Sequence, residues 1–225
     1  MRKINVRVSE EIHEACPDFR GCMVTAQIQN TPFNEQLWQE IEAETARLAA
    51  HHTTESIKQI SGIAATRNAY KRCGKDPSRY RPSNEQLIRR VIQGKGLYQI
   101  DTVVDLVNLA SIRYGYSIGG FDLDKVEGDS VVLGIGREGE PYEGIGRGVL
   151  NIAGMPVYRD AVGGIGTPTS DHERTKLSLD TTHFMAFVNG YDGDAAHTLA
   201  CGQFIADLLR RYASASEIQV TPYQF

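Results

Sequence analysis

The chain has 225 residues, 41% hydrophobic and 23% charged, with a formal net charge of −4. That length supports one large domain or two tightly packed small ones, and the acidic balance excludes a protein that coats nucleic acid non-specifically. No apolar run is long enough to span a membrane, Cys16, Cys22, Cys73 and Cys201 form no C-x-x-C pair, and no Cys/His set has zinc spacing, so neither a metal nor a cofactor is expected.

The opening MRKINVRVSEEI carries two basic residues and no apolar signal core. It reads as a strand over residues 4–8 in a cytoplasmic protein, where cysteines stay reduced. A short helix over residues 9–15 is stopped by Pro17. GCMVTAQIQ, residues 21–29, is rich in β-formers and reads as a second strand. Residues 34–52 read as a long helix with Asn34 as N-cap and Leu37, Trp38, Ile41 and Leu48 as its buried stripe. A further helix is expected over residues 61–73, stopping at Gly74.

The next stretch is basic. Between Lys71 and Lys95 eight Lys/Arg residues meet only Asp76 and Glu85, a local net of +6, and Tyr70, Tyr80 and Tyr98 are interleaved. Lys71, Arg72, Lys75, Arg79, Arg81, Arg89 and Arg90 form a candidate RNA-binding set, able to track phosphates while tyrosines stack on unpaired bases. The alternative is that these cations solvate two surface helices and pair with acidic groups elsewhere. Ser83 and Gln86 make a capping-box pattern that opens a helix through Leu87, Ile88, Val91 and Ile92.

DTVVDLVNLASIRYGYSIGGFDLD, residues 101–124, is the most informative stretch. Val104, Leu106, Val107, Leu109 and Ile112 make an amphipathic helix, and Asp105 and Asn108, three apart, emerge on one face. The helix ends near Gly115 and SIGGFD continues as a strand. Gly119 and Gly120 in that strand point to a backbone approached closely by another group, although a plain helix–strand junction would also account for them.

From Gly128 onwards the texture changes, since eleven of the 22 glycines fall between Gly128 and Gly166. SVVLGI and VLNI read as short strands. Gly134, Gly136 and Gly139 spell G-x-G-x-x-G, but Glu140 and Pro141 follow where an apolar helix is required, so a dinucleotide site is excluded. The loop RDAVGGIGTPTSDHERT, residues 159–175, concentrates Asp160, Thr167, Thr169, Ser170, Asp171, His172, Glu173 and Arg174. Gly163 and Gly164 can expose backbone N–H groups there, and such a set suits a ligand carboxylate, ammonium or oxyanion. Residues 176–189 read as a strand or strand pair, 194–213 as a closing helix and 217–221 as a last strand. Without a linker or repeat, the reading is one α+β domain over residues 1–225, with residues 1–60 as an N-terminal strand/helix elaboration packed on a 61–225 core.

Other chemistry-bearing patterns fail. His13 has Pro17 where H-E-x-x-H needs histidine, and neither a G-x-S-x-G elbow nor a P-loop occurs. Cys201 and His197 are one helical turn apart, but a helix cysteine beside an apolar stripe reads as core.

VVDLVNLASIRYGYSIGGFDLDKVEG resembles the VVDxTNYVMxxxGQPxHAFDxDK segment in the editing region, the B3/B4 domain, of the phenylalanyl-tRNA synthetase beta subunit. The spacing from VVD to FDLDK is kept without a gap. GKDPSRYRPSNEQLIRR is similar to the G-x-D-P-x-x-Y-R-P-S-x-E-x-L-x-R-R pattern of free-standing relatives. The resemblance implies a layered β/β/α sandwich with a barrel-like mixed β core flanked by helices, and a tRNA or aminoacyl-tRNA partner, with no membrane and no obligate protein partner. It implies that Val162-Gly163-Gly164 matches an M-G-G whose backbone lies against the amino-acid moiety. It also marks Asn108, Gly119, Gly120, Gly163, Gly164, Thr167, Ser170 and Arg174 as substrate-binding candidates. Asp180 falls near the family's glutamate by spacing, while Asp171 and His172 are further catalytic candidates for holding an ammonium or positioning water. The chain departs from the pattern at Gly119, where the H-A-F-D histidine is missing. Two functions remain open: a trans-acting hydrolase of mischarged aminoacyl-tRNA that uses water, and a non-catalytic RNA- or amino-acid-binding module that kept the fold and lost editing.

Overall fold

Two four-stranded sheets organise the computed structural model, which describes residues 2–225; Met1, the first residue of the expected opening segment, lies outside the described residues. The first part of the chain runs β1 (Asn5–Val8), α1 (Glu10–Ala15), β2 (Arg20–Gln27), α2 (Glu35–His51), α3 (Ser61–Arg72) and α4 (Ser83–Ile92). Then come α5 (Thr102–Tyr114), β3 (Ser117–Asp122), β4 (Ser130–Ile135), β5 (Glu143–Gly144), β6 (Gly148–Val149), β7 (Pro156–Arg159) and β8 (Gly164–Gly166). The chain closes with β9 (His183–Gly190), α6 (Ala195–Tyr212) and β10 (Ser216–Tyr223).

One sheet has the order β1-β4-β7-β8 and the other β10-β2-β9-β3, while β5 and β6 form a small ribbon. β1 is parallel to β4 and the remaining pairs are antiparallel. Neither large sheet closes, so the expected barrel-like core takes the form of open sheets with helices packed against them, in an α+β fold. Residues before Ser61 supply an edge strand of one sheet and an inner strand of the other.

Alternation along the strands creates the layers. Met23, Phe121, Met185 and Phe187 project from the second sheet into a core shared with Val131, Leu133 and Tyr158 of the first. Their neighbours Cys22, Val24, Ile118, Ala186 and Val188 point the other way, into a core with Leu37, Leu106, Leu109, Ile205 and Leu208 of the helices. β9 reads as a nearly continuous apolar run because both of its faces are covered. At Gly202 of α6 a Cβ would lie 2.4 Å from Cys22 Sγ, so only glycine lets this helix settle onto β2.

Three of the helix starts are capped by a side chain. Asn34, Asp101 and Asp194 each accept an N–H of the first turn of the helix that follows. Gly115 closes α5 at φ 75°, a left-handed conformation. The capping box expected from Ser83 and Gln86 does not form, because Pro82 is the N-cap of α4. Ser83 N–H instead donates to Pro168 O at 2.7 Å, and the Gln86 amide donates to Arg81 O at 2.6 Å. That first bond ties α4 to the loop after β8. Of the strand expected over VLNI, only Val149 is in a strand, in β6.

A candidate ligand cavity beside a basic groove

A cavity of about 460 Å³ opens where α4, α5, the outer edge of β3 and the loop after β8 meet. α5 contributes Val104, Val107, Asn108 and Ser111, an i, i+3, i+4, i+7 face, while its Leu106, Leu109 and Ile112 go to the core. Ser83 and Leu87 come from α4, Ile118 and Gly120 from β3, and Thr167, Ser170 and Asp171 from the loop after β8. Ile100, Ile145, Lys176 and Leu177 complete the wall. Asp105 lies behind that wall. Its carboxylate accepts Trp38 Nε1–H at 2.8 Å and the Ile100 N–H at 3.0 Å, fixing the segment that carries Ile100. Burial outweighs these bonds and pushes its carboxyl up to about 6.

Most of the cavity's polar groups are engaged by the protein itself. Ser111 Oγ donates to Tyr116 O at 2.7 Å, and Ser170 Oγ donates to Asp171 O at 3.3 Å. Thr167 Oγ1 donates to Ser170 O and accepts the N–H groups of Thr169 and Ser170, closing a turn that the Tyr142 hydroxyl also holds through Ser170 O. Lys176 pairs with Glu173 at 2.5 Å. Three cavity groups are left: the Asn108 amide and Ser83 Oγ, which have no hydrogen-bond partner among the described residues, and Asp171.

The Asp171 carboxylate lies at the outer edge of β3, where Oδ2 accepts the Gly120 N–H at 3.0 Å. No donor among the described residues reaches Oδ1, which packs 3.0 Å and 2.9 Å from the Cβ positions that Gly119 and Gly166 lack. The residue is half-buried and its carboxyl borders the cavity. Burial pushes it up to about 7, opposed by the Gly120 N–H. A Cβ at Gly119 would also lie 2.7 Å from the Phe121 ring. The histidine that the resemblance places at Gly119 therefore has no room beside Asp171 and Phe121.

Other sequence candidates lie outside the cavity. Arg174 forms a two-bond ion pair with Asp160, at 2.9 Å for both contacts, and the N–H groups of Glu127, Val162 and Gly163 converge on the same carboxylate. Burial pushes Asp160 up, but Arg174 and these N–H groups outweigh it and hold the carboxyl below its usual range. Arg174 and Gly163 are thus occupied in a loop clamp, and Gly164 belongs to β8, opposite Arg159. His172 Nδ1 accepts the Arg174 N–H at 2.9 Å and its ring meets Tyr142 edge-on at 4.9 Å. Burial and then the Arg174 charge push its pKa down, so the ring is neutral with its proton on Nε2. Asp180 lies on an exposed turn closed by Thr181 N–H to Ser178 O, before β9 begins and not on the strand.

The basic segment divides. Arg81, Arg89, Arg90, Lys95 and Tyr98 line a groove of about 340 Å³ that shares Leu87 with the cavity. The Arg90 guanidinium stacks 3.6 Å from the centre of the Tyr98 ring, and Tyr98 is 60% exposed. Glu85, wholly buried, pairs with Arg67 at 2.8 Å, Arg89 at 3.1 Å and Arg81 at 3.7 Å. The remaining candidates face elsewhere. Arg72 donates to Ala15 O, Arg79 lies over the Tyr80 ring, and Lys75 is buried with its ammonium on Asn151 O at 2.7 Å. Lys71 is exposed at the end of α3. Ser83, Leu87, Ile100, Ile145 and Leu177 were not visible as site residues in the sequence, because they come from four segments that only the fold brings together.

Among the described residues no group of three or more His, Cys, Asp or Glu side chains is placed to hold a metal ion, and no helix is long and apolar enough to cross a membrane.

Comparison with known proteins bears on this arrangement. The beta subunit of phenylalanine–tRNA ligase from Desulfotalea psychrophila is 26% identical over 100 residues, 44% of this chain and 10% of that protein. An N-terminal fragment of the phenylalanyl-tRNA synthetase beta subunit from Pyrococcus horikoshii is similar in structure, with a TM-score of 0.50 at 14% identity, covering 100% of this chain and 56% of the fragment. At that identity the likeness concerns the fold. The chain thus corresponds to a small part of the whole ligase subunit and to about half of the fragment. A family model described as the B3/4 domain matches residues 65–213, a span that contains the whole cavity wall and the whole groove. The chain belongs to the B3/4 domain family, a tRNA-synthetase-related domain.

Proposed function

We propose that the cavity receives the aminoacyl group of a charged tRNA, that the adjoining groove receives the RNA end carrying it, and that the protein hydrolyses mischarged aminoacyl-tRNA in trans. The observation that carries this reading is the continuity of the two sites at Leu87. An apolar cavity with unpartnered polar groups meets a cationic groove with an exposed tyrosine. Apolar walls suit an amino-acid side chain, Arg81, Arg89, Arg90 and Lys95 suit phosphates, and Tyr98 offers a face for an unpaired base. The membership in the B3/4 family supports it further. Water attacks the ester carbonyl, the bond to the ribose oxygen breaks, and free amino acid and tRNA leave. Such a role belongs in the cytoplasm, and we read residues 1–225 as the single domain that performs it.

One observation favours binding without turnover. The cavity holds no hydrogen-bonded nucleophile–base pair, His172 and Asp180 lie outside it, and Cys201 is buried in the helix-side core. Both readings meet in one experiment: the purified chain is incubated with a panel of aminoacyl-tRNAs at near-physiological salt, following ester loss and complex formation together. Ester loss above the spontaneous rate establishes the hydrolase. Retention of tRNA with intact ester establishes the binding module, and neither signal for any member of the panel rules out both.

A further inference from the structure

We infer that the cavity selects ligands that carry a primary ammonium group on an apolar body, and that Asp171 makes the selection. This inference rests on the reading of the cavity as a ligand site and names the chemistry of what enters it. Among the described residues Asp171 is the only acidic side chain in the cavity wall. One of its oxygens is satisfied by the Gly120 N–H, and no Lys, Arg or His side chain donates to either oxygen. The nearest cation on the wall, Lys176, is already paired with Glu173. A half-buried carboxylate with a single hydrogen bond from the protein lacks a counter-charge, and a ligand ammonium supplies both the charge and up to three N–H donors.

The rest of the cavity fits the same ligand. The Asn108 amide oxygen and Ser83 Oγ are unpartnered acceptors on the same wall. Leu87, Val104, Val107, Ile118 and Leu177 surround the remainder with aliphatic surface. An anionic ligand would meet the carboxylate with no cation to offset it. A neutral alcohol of the same shape can donate one hydrogen bond to Oδ1 but brings no charge to pair with the carboxylate. Glycine at positions 119 and 166 keeps the carboxyl in place, since Cβ atoms there would lie within 3.0 Å of it.

The test compares 3-methylbutan-1-amine with its neutral isostere 3-methylbutan-1-ol, by calorimetry or by chemical-shift perturbation on the full chain. The amine should bind at least about tenfold more tightly than the alcohol, a difference of about 1.4 kcal/mol. Asp171→Asn, which keeps an acceptor for Gly120 N–H, should erase that preference by weakening binding of the amine. Equal affinity for the two probes, amine preference that survives Asp171→Asn, or no binding of either probe would each overturn the inference. A second readout separates it from the proposed function. If the chain deacylates aminoacyl-tRNA and its N-acetylated form equally well, ammonium selection fails while hydrolysis stands. If the amine is selected but no tRNA is bound or deacylated, the reverse holds.

Discussion

Asp171 and Gly119 form a mutually dependent pair. The carboxyl and the Phe121 ring lie where a side chain at 119 would begin, so the position holds glycine beside both. Gly119→Ala should cost about 1–3 kcal/mol, measured by chemical denaturation, because its Cβ meets the Phe121 ring at 2.7 Å as well as the carboxyl. Burial raises the Asp171 carboxyl from 3.8 to about 7, so the folded state takes up the proton first. The contribution of Asp171 to stability therefore becomes more favourable as pH falls from 7 towards 4. Asp171→Asn, neutral throughout, should be more stable than wild type by up to about 4 kcal/mol above pH 7, with the gap closing towards pH 4. A melting-temperature series across that range checks the sign, and a gap that widens on acidification would refute it. Arg174→Ala should likewise destabilise the loop clamp around Asp160 without changing the affinity of cavity ligands, as expected for a residue outside the wall.

At the level of elements, α5 and α4 do different work. α5 was legible because its i, i+3, i+4, i+7 pattern survives in the structure, yet the pattern alone does not reveal that one apolar stripe faces the core and another the cavity. Asp105 and Asn108 share a face in the sequence, but Trp38 from a distant helix and Ile100 just before α5 claim Asp105 and leave Asn108 free. The loop after β8 was legible as a concentration of polar groups. Which of them serve each other is fixed by pairs such as Asp160 with Arg174, and no periodicity announces those. α4 holds its arginines through Glu85. Glu85→Gln should cost about 3 kcal/mol or more, since it leaves Arg67, Arg81 and Arg89 without their shared buried anion. It should also loosen the groove, seen as faster amide exchange along α4.

For the whole molecule, the layers place the cationic groove and the cavity on the same side of the helix-backed sheet, while the acidic net charge is carried elsewhere. Attraction to RNA should therefore be local and sensitive to salt. Arg90→Ala should weaken tRNA binding and lower the slope of log affinity against log salt by about one, whereas Lys71→Ala and Arg72→Ala should leave both unchanged. The sheet order carries one more consequence. β3 is an outer strand, and its Gly120 N–H would be an open pairing group if the Asp171 carboxylate did not accept it. Together with the bridge between Phe121 and Lys176, the same carboxylate covers this edge of β3. Replacements at 171 that cannot accept a hydrogen bond, such as leucine, would give a protein whose tendency to self-associate rises with concentration, so the chemistry of the cavity and the colloidal behaviour of the molecule are bound to one side chain.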